Sequence, residues 1–305
     1  MKYDIFTVLD ICADLVVDLG DTVPEFGQKE KYVDSYALEI GGSSTIFACQ
    51  CAKLGLITTG AGVIGGDVFG AMAAAALQKS GVDVSNIIAD ANIQTGLGLH
   101  LMREGDRSIL TYSGSIGAVM PDHITDELLQ SSKHLHIGSY YLIDGIRDTL
   151  PDILRRAKNF GLTVSFDSNW DPLEKWVLPD EILSYIDVIL PNRNEALLLT
   201  DYSDIDAAVE ILAKKVKVVA VKLGAEGGIV CSDGEKIKLP AMAVNVADTI
   251  GAGDCFDAGF IYGYINGLSL EDCLRCALYC GSMNTKKAGG IAGQAMLSDL
   301  LDYLK

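Results

Sequence analysis

Residues 248–260 read Asp-Thr-Ile-Gly-Ala-Gly-Asp-Cys-Phe-Asp-Ala-Gly-Phe, a turn of small residues that leads into an apolar helix. Gly251 and Gly253, on either side of Ala252, carry no Cβ, so backbone N–H groups in this turn can approach an anion closely. The helix that follows adds the positive end of its dipole at the same place. The stretch therefore predicts a phosphate-binding turn at a helix start.

Asp254 brings a single carboxylate to that turn. Because a polyphosphate repels a carboxylate, we interpret Asp254 as a general base that accepts the proton of an attacking hydroxyl, while N–H groups stabilise the transferred group. This interpretation predicts phosphoryl transfer to an alcohol. In the alternative interpretation, Asp254 only caps the helix, and Gly251 and Gly253 only form a tight turn.

The composition limits the class of protein. The chain has 305 residues, 49% of them hydrophobic, and a formal net charge of −17, which argues against a nucleic-acid partner. No apolar stretch has membrane-spanning length, and the first residues do not form a secretory signal, so we expect a cytoplasmic protein with no membrane partner. The eight cysteines are then expected to be reduced. Cys273, Cys276 and Cys280 recur at helical spacing and indicate a buried helix face rather than a metal site.

Buried apolar runs alternate with amphipathic segments along the chain. This alternation predicts an α/β fold, a doubly wound and mostly parallel sheet with helices on both faces. One helix is predicted over residues 67–80, closed by Gly81, and another over 145–159, ending before Gly161. The predicted strands cover residues 5–9, 135–137, 162–166, 188–190 and 218–223.

Two stretches interrupt this alternation. Residues 15–38 mix short β-like pieces with turn residues, and residues 95–112 indicate a hairpin around Glu104-Gly105-Asp106. We expect the two to pair as a small β-sheet lid; the alternative is a pair of ordinary surface excursions. The predicted lid comprises residues 13–41 and 94–113, and the main domain comprises residues 1–12, 42–93 and 114–305.

The segment 248–260 resembles the C-terminal signature of the ribokinase-like (PfkB) carbohydrate kinases, and residues 62–70 are similar to the first signature of that family. The resemblance covers nearly the whole chain. It implies a ribokinase-like fold and ATP-dependent phosphorylation of a sugar hydroxyl, usually a primary one. It also implies that the amides of Ala252, Gly253 and Asp254 stabilise the transferred group.

The same resemblance implies an acceptor pocket. Asp14, after the first strand, corresponds to the family Asp that binds two sugar hydroxyls, and Gly41 and Gly42 correspond to a double glycine that lines the pocket. Asn169 belongs to an Asp-x-Asn element after a buried strand, and Arg107 in the hairpin is a further candidate for binding substrate.

Two departures from the family pattern bear on the acceptor. Ile46 replaces the usual pocket Asn, which predicts a partly apolar pocket. Asp171 stands where many relatives carry Arg, which argues against an anionic acceptor such as a keto-deoxy sugar acid.

The nucleotide side of the site is implied by two further segments. Asn192 and Glu195 match the family Asn-x-x-Glu element, in which Glu195 would hold Mg²⁺ through water; the alternative is a Glu that complements a helix start. Lys222, Gly224 and Gly227 belong to a segment that resembles the loop covering the nucleotide, and a hairpin turn would use the same residues.

The resemblance also implies K⁺ at the position of the Asp248 side chain and the Ile250 carbonyl, and a homodimer formed through the lid. Two alternatives to a sugar kinase stay open: a nucleoside kinase of the same fold, and a sugar-binding regulatory protein without catalysis. A dinucleotide-dependent oxidoreductase is excluded, because no Gly-x-Gly-x-x-Gly follows the first strand.

Overall fold

The strands and helices are numbered separately along the chain, and the computed structural model describes residues 1–104 and 106–305. Gly105, in the predicted hairpin turn, lies outside the described residues. The strands are β1 (Tyr3–Leu9), β2 (Cys12–Asp18), β3 (Ser35–Gly41), β4 (Thr58–Gly65), β5 (Ile87–Asp90), β6 (Gly96–Arg103), β7 (Asp106–Tyr112), β8 (Ser132–Ile137), β9 (Thr163–Phe166), β10 (Val188–Ile189), β11 (Val218–Lys222), β12 (Gly228–Ser232) and β13 (Glu235–Leu239).

The helices lie mostly between strands of the main sheet. Across residues 1–104 and 106–305, no helix is both long enough and apolar enough to cross a membrane. The helices are α1 (Ser43–Lys53), α2 (Val68–Ser80), α3 (Asp126–Gln130), α4 (Asp144–Arg147), α5 (Leu150–Asn159), α6 (Asp180–Tyr185), α7 (Arg193–Thr200), α8 (Ile205–Ala213), α9 (Ala252–Ile265), α10 (Leu270–Asn284) and α11 (Leu297–Tyr303), with short 3₁₀ turns at Gly114–Ala118, Pro121–His123 and Gly224–Glu226.

The main sheet has the strand order β13-β12-β11-β10-β9-β8-β1-β4-β5, and only the pairs made by β12 are antiparallel. Its central strands are continuous apolar runs because both faces are covered. In β1, for example, Ile5 and Phe6 are adjacent, yet they pack into two different hydrophobic clusters, one on each face of the sheet. The predicted doubly wound α/β fold with helices on both faces is confirmed.

A second sheet has the order β3-β2-β6-β7, in which β2 and β6 pair in parallel and the other pairs are antiparallel. The two separated stretches therefore pair with each other, as the sequence predicted. Asp14 lies opposite Glu39 on β3 and Gly98 on β6, so these residues share one face of the sheet. The division into two domains and the role of this sheet as a lid stay predictions.

One predicted helix is wrong. A continuous helix over residues 145–159 is replaced by α4 and α5, which are separate elements. Pro151 lies in the first turn of α5, has no N–H to donate, and in a continuous helix its ring would clash with the carbonyl of Arg147. By contrast, α2 matches its prediction: Asp67 caps it by accepting from the Gly70 amide, and Gly81 ends it in a left-handed conformation.

Helices α9 and α10 pack closely behind the signature turn because α9 presents glycines to its neighbour. A Cβ on Gly259 would lie 2.5 Å from the carbonyl oxygen of Cys276, and one on Gly263 would lie 2.9 Å from the Cα of Cys273. The buried thiols of Cys273, Cys276 and Cys280 lie on the α10 helix, and the described structure shows all eight cysteines as free. The prediction of a buried helix face with reduced thiols is confirmed.

This contact predicts that Gly259→Ala destabilises the protein, because the added methyl group meets backbone rather than a flexible side chain. We expect the free energy of unfolding to fall by about 1–3 kcal/mol, measured by urea denaturation. Gly117→Ala is the matched control, since its new Cβ would lie 3.2 Å from the hydroxyl of Ser113, a group that can rotate away. Equal losses in the two variants would contradict the close-packing explanation.

Candidate active site

The signature turn forms an anion-binding site at the start of α9. Gly251 is the N-cap residue with φ 73°, and a Cβ there would lie 2.8 Å from the carbonyl oxygen of Gly290. Within residues 1–104 and 106–305, neither the Gly253 amide nor the Asp254 amide donates a hydrogen bond, and Ala252 N donates to Thr249 O at 3.3 Å. Two backbone donors at a helix start are therefore free for an anionic ligand.

Asp254 lies in the first turn of α9 but makes no capping bond for this helix. Its Oδ1 instead accepts a hydrogen bond from the hydroxyl of Ser43, at the start of α1. Burial raises the pKa of Asp254 to about 7, against the opposing effects of the Ser43 hydrogen bond and the Lys222 charge. A carboxyl with a pKa near neutrality is suited to exchange protons with a substrate.

Asn169 lies beside Asp254, as part of a hydrogen-bonded group that sequence reasoning identified only in part. Its Nδ2 donates to Ser43 Oγ at 2.8 Å, and its Oδ1 accepts from Ser139 N at 2.6 Å. Ser139 Oγ donates in turn to Asp10 at 2.5 Å. Asp10, Ser43 and Ser139 were not identified from the sequence; the one available signal was a polar residue within two positions of the end of the buried strands β1 and β8.

Lys222, at the end of β11, lies in a group of buried charges. Its Nζ is 2.6 Å from Asp167 Oδ2 and 3.0 Å from Asp257 Oδ1. Carboxylate oxygens of Asp167, Asp254 and Asp257 all lie within 4.8 Å of one another. The Lys222 ammonium group lies between Asp167 and Asp257, where a metal ion could otherwise bind. Burial raises the pKa of Asp257 well above its usual value, despite the opposing charge of Lys222. Asp257 was not identified from the sequence.

Asn192 and Glu195 form a capping box at the start of α7. The Glu195 carboxylate accepts from Asn192 N at 2.8 Å and from Asn192 Nδ2 at 2.6 Å, and Asn192 Oδ1 accepts from Glu195 N at 3.0 Å. Burial, with the charge of Asp167, raises the pKa of Glu195 to about 8. Because both Glu195 oxygens are already engaged, the residue fits a water-mediated contact with Mg²⁺ rather than direct coordination.

The Gly224–Glu226 turn joins β11 to β12, and these two strands form an antiparallel hairpin. Gly227 has φ 97°, and a Cβ there would overlap the carbonyl oxygen of Leu239. Gly224 has φ 59° and open space around the position of a Cβ. The left-handed φ and the close approach of the end of β13 thus account for Gly227, whereas Gly224 lies on a surface that a ligand can approach.

Asp14 is buried in the second sheet, where its Oδ1 lies 3.3 Å from His100 Nε2 and accepts from Cys12 Sγ at 3.6 Å. Gly41 and Gly98 lie on either side, and a Cβ on either glycine would overlap the Asp14 carboxylate. The two glycines therefore make room for this side chain between three strands.

Gly42 links β3 to α1 with φ 94°, and a Cβ there would overlap the carbonyl oxygen of Asp10. The second glycine of the pair thus brings the start of α1 close to the end of β1. The structure brings both glycines of the pair next to carboxylates: Gly41 lies against Asp14, and Gly42 lies against Asp10.

The structure does not support the two interpretations of the acceptor pocket that rested on Ile46 and Asp171. Ile46 is only 3% exposed and packs against Gly251 and Gly290, so it supports the anion turn from below instead of lining an open pocket. Asp171 is also buried, and its carboxylate accepts from the amides of Leu173, Lys175 and Trp176 at 2.8–2.9 Å. Its charge is satisfied within its own loop and gives no ground for excluding an anionic acceptor.

Arg107 is not brought together with the other residues. It lies on the exposed strand β7, opposite Met102 of β6. Asp14 lies on β2, two strands away, and pairs with Gly98 of β6. Because Gly98 and Met102 are four residues apart, Arg107 is displaced from Asp14 by about 13 Å along the strands.

The proposed K⁺ ligands are already engaged in hydrogen bonds. Asp248 accepts from Ile250 N at 3.0 Å and Gly289 N at 2.9 Å, and the Ile250 carbonyl accepts from Asn284 Nδ2 at 2.8 Å. The Asp248 carboxylate and the Ile250 carbonyl thus already accept hydrogen bonds, an arrangement that does not favour a K⁺ ion bound between these two groups. The K⁺ site stays a prediction.

Known proteins resemble this chain in sequence and in structure. The family model described as pfkB family carbohydrate kinase matches residues 7–295. A probable fructokinase-3 of Arabidopsis thaliana is 30% identical over 313 aligned positions, covering 96% of this chain and 90% of that protein. The structure of Arabidopsis thaliana ribokinase complexed with ribose and ATP has TM-score 0.86 and 26% identity, covering 100% of this chain and 99% of that one. Adenosine kinase from Sinorhizobium meliloti shares the fold, with TM-score 0.88, 24% identity and full coverage of both chains.

The buried charges predict that Lys222→Met is strongly destabilising, because it leaves the Asp167 carboxylate without its cation. We expect a loss of about 3–5 kcal/mol at pH 8, measured by urea denaturation. The loss should be smaller near pH 5, because the isolated buried carboxylate then takes up a proton and loses its charge. Lys215→Met, which removes an exposed pair with Asp180, is the control and should cost about 1 kcal/mol or less. A loss for Lys222→Met that does not change with pH would contradict this account.

Proposed function

This chain belongs to the pfkB family of carbohydrate kinases, and we propose that it transfers the γ-phosphoryl group of ATP to a hydroxyl of a small sugar. One observation carries the proposal. Asp254, whose pKa is raised to about 7, lies in the same helical turn as the unbonded amides of Gly253 and Asp254. A proton acceptor and an anion-binding turn therefore adjoin each other.

In the proposed reaction, the oxygen of the acceptor hydroxyl attacks the γ-phosphorus in line. Asp254 accepts the proton that this hydroxyl loses. The bond to the β-phosphate oxygen breaks, and ADP leaves. The amides of Gly253 and Asp254, with that of Ala252, stabilise charge on the transferred phosphoryl group. A primary hydroxyl is the preferred acceptor, because it projects beyond the sugar ring and reaches the half-buried Asp254 carboxylate most easily.

The nucleotide would lie along the ends of β10 and β11. Gly224, in the turn that follows Lys222, has the open surface needed for close approach of a ligand. Mg²⁺, when bound, neutralises charge on the phosphates, and Glu195 would hold it through water beside Asn192. The structure of a ribokinase relative with ribose and ATP supports ATP as the donor.

The acceptor would bind between the second sheet and the ends of β1, β8 and β9. Asp14 is placed to accept hydrogen bonds from hydroxyls, because His100 and Cys12 contact only its Oδ1. Closure of the second sheet over the acceptor would exclude water, which otherwise competes for the phosphoryl group. Arg107 would reach the acceptor only if closure moved the hairpin tip toward the site.

One observation favours a nucleoside as the alternative acceptor. Trp170 directly follows Asn169, is 49% exposed and packs edge-on against Trp176 at 5.0 Å. An exposed indole offers a surface on which a flat base can stack.

The test is acceptor-dependent formation of ADP from ATP in the presence of Mg²⁺, measured across a panel of free sugars, sugar acids and nucleosides. A sugar or sugar acid that gives the highest kcat/KM supports the proposal, whereas a nucleoside supports the alternative. Sugar binding without ADP formation would indicate the third possibility, a regulatory protein without catalysis.

Asp254→Asn should lower turnover by about a hundredfold or more, because an amide cannot accept the hydroxyl proton. ATP binding should stay nearly unchanged, which can be followed by the fluorescence of the two tryptophans. Asp299→Asn is the control for loss of a carboxylate at a helix start, here at the first turn of α11. Near-normal turnover of Asp254→Asn would overturn the assignment of the base.

We also propose that the chain forms a homodimer through the second sheet. Leu38, Leu15, Leu99 and Leu110 lie in register across all four strands and form an apolar row on the face opposite Asp14. The two edge leucines are 41% and 58% exposed. Apolar sheet faces of this kind are commonly buried against a partner.

The double substitution of Leu38→Glu and Leu110→Glu should convert the dimer to a monomer, because it places charge at both ends of the apolar row. Analytical ultracentrifugation measures the outcome. Leu301→Glu, on α11 and 45% exposed, is the matched control and should leave the mass unchanged. A native chain that sediments as a monomer at micromolar concentration would overturn the proposal.

A further inference from the structure

Asp254 is connected to a closed ring of hydrogen bonds. Ser43 Oγ donates to Asp254 and accepts from Asn169 Nδ2 at 2.8 Å. Asn169 Oδ1 accepts from Ser139 N at 2.6 Å, and Ser139 Oγ donates to Asp10 Oδ2 at 2.5 Å. Asp10 Oδ2 also accepts from the backbone amide of Ser43 at 2.8 Å, which closes the ring.

Asp10 is the anchor of the ring. It is 1% exposed, and besides the two ring donors it accepts from Thr45 N at 3.2 Å and Thr45 Oγ1 at 3.3 Å. A buried carboxylate is costly unless hydrogen bonds replace its hydration, and four donors meet that need here. Because Asp10 lies between β1 and β2 and Ser43 follows β3, the ring also joins the segment that leads into β2 to the segment that follows β3.

Two ring members have an unfavourable backbone. Ser139 has φ 52° and Asn169 has φ 53°, in the left-handed region that residues with a Cβ seldom adopt. Such conformations cluster at functional sites, where the surrounding structure holds them. Here they turn the Ser139 amide and the Asn169 side chain toward each other.

The direction of the Ser43 hydroxyl is determined by its partners. A serine hydroxyl has one hydrogen and two lone pairs. Because Asn169 Nδ2 donates to the oxygen, the hydrogen is free to point at Asp254 Oδ1. This bond leaves the second oxygen of Asp254 for the acceptor hydroxyl.

We propose that Ser43 and Asp10 are positioning residues of this kinase: through the ring they fix the orientation of the Asp254 carboxylate beside the anion-binding turn. The inference rests on the proposed function. Ser43 acts directly on the base, and Asp10 acts through Ser43 and Ser139.

The proposal predicts a change in the pH dependence of turnover. Asp254 must be ionised to accept a proton, so kcat/KM of the native enzyme should fall as the pH drops through about 7. The Ser43 hydrogen bond favours the ionised form, and its loss raises the pKa of Asp254. Ser43→Ala should therefore move the acid limb upward by about half a unit to one unit. The other groups that act on Asp254 are unchanged in this variant: Lys222 from β11, Asp167 after β9, Asp10 after β1, Glu195 on α7, and Cys255 and Asp257 on α9.

Three variants make the test specific. Ser43→Ala should also lower kcat by about tenfold, whereas Ser43→Thr, which keeps the hydroxyl, should restore both kcat and the pH limb. Asp10→Asn should lower kcat, because an amide cannot accept all of the donors, while ATP affinity measured by tryptophan fluorescence stays the same. Ser44→Ala is the matched control: its hydroxyl accepts from Gly138 N outside the ring, so the pH limb should not move.

An acid limb that stays in place in Ser43→Ala, or that moves equally in Ser44→Ala, would overturn the proposal. The titration of the Asp254 carboxyl carbon, followed by ¹³C NMR and assigned with Asp254→Asn, gives a readout that needs no turnover. If the native protein forms no ADP with any acceptor, the proposed function fails. If the native protein turns over and neither the pH limb nor the titration moves, only the positioning role fails.

Discussion

The site depends on the parallel pairing of neighbouring strands, which brings their carboxyl ends to one edge of the main sheet. Each strand of this set delivers a polar side chain at its end, and α9 brings Asp254 to the same place. Because the register of the sheet holds these ends in line, the side chains of Asp10 and Ser139, 129 positions apart in the chain, form a direct hydrogen bond. The residues delivered in this way are Asp10 after β1, Ser139 after β8, Asn169 after β9, Asn192 after β10 and Lys222 at the end of β11.

The charges at this edge are balanced within the protein. Lys222 pairs with Asp167 and Asp257, and burial raises the pKa of Asp257 well above its usual value, which favours its neutral form. Asp254 and Glu195, whose pKa values are raised to about 7 and about 8, are the carboxyls here that can change their charge near neutral pH, and of the two only Asp254 lies in the turn with the free amides. A base in such surroundings gains a proton without creating an isolated buried charge. The free amides of the adjacent turn are available to an anionic group bound beside this base.

Much of this architecture was predictable from local patterns, and the failures have identifiable causes. The parallel sheet, the paired second sheet and α2 follow from apolar runs and capping residues, which act over a few positions. The break between α4 and α5 follows from Pro151, a local signal that helical periodicity outweighed. Ile46 and Asp171 were interpreted as pocket residues because of their positions in motifs. Whether a side chain faces a pocket or its own loop depends on φ and on neighbours that no motif specifies.

The sequence by itself determined the α/β class, the glycine turn and the presence of an acid at a helix start, because each follows from residue type and short-range spacing. Only the tertiary structure decided that Ser43 donates to Asp254, that Asp10 anchors their ring and that Lys222 lies between two carboxylates. These contacts join segments far apart in the chain. Their distances are set by strand order and helix packing, which depend on the whole core rather than on the residues at the site.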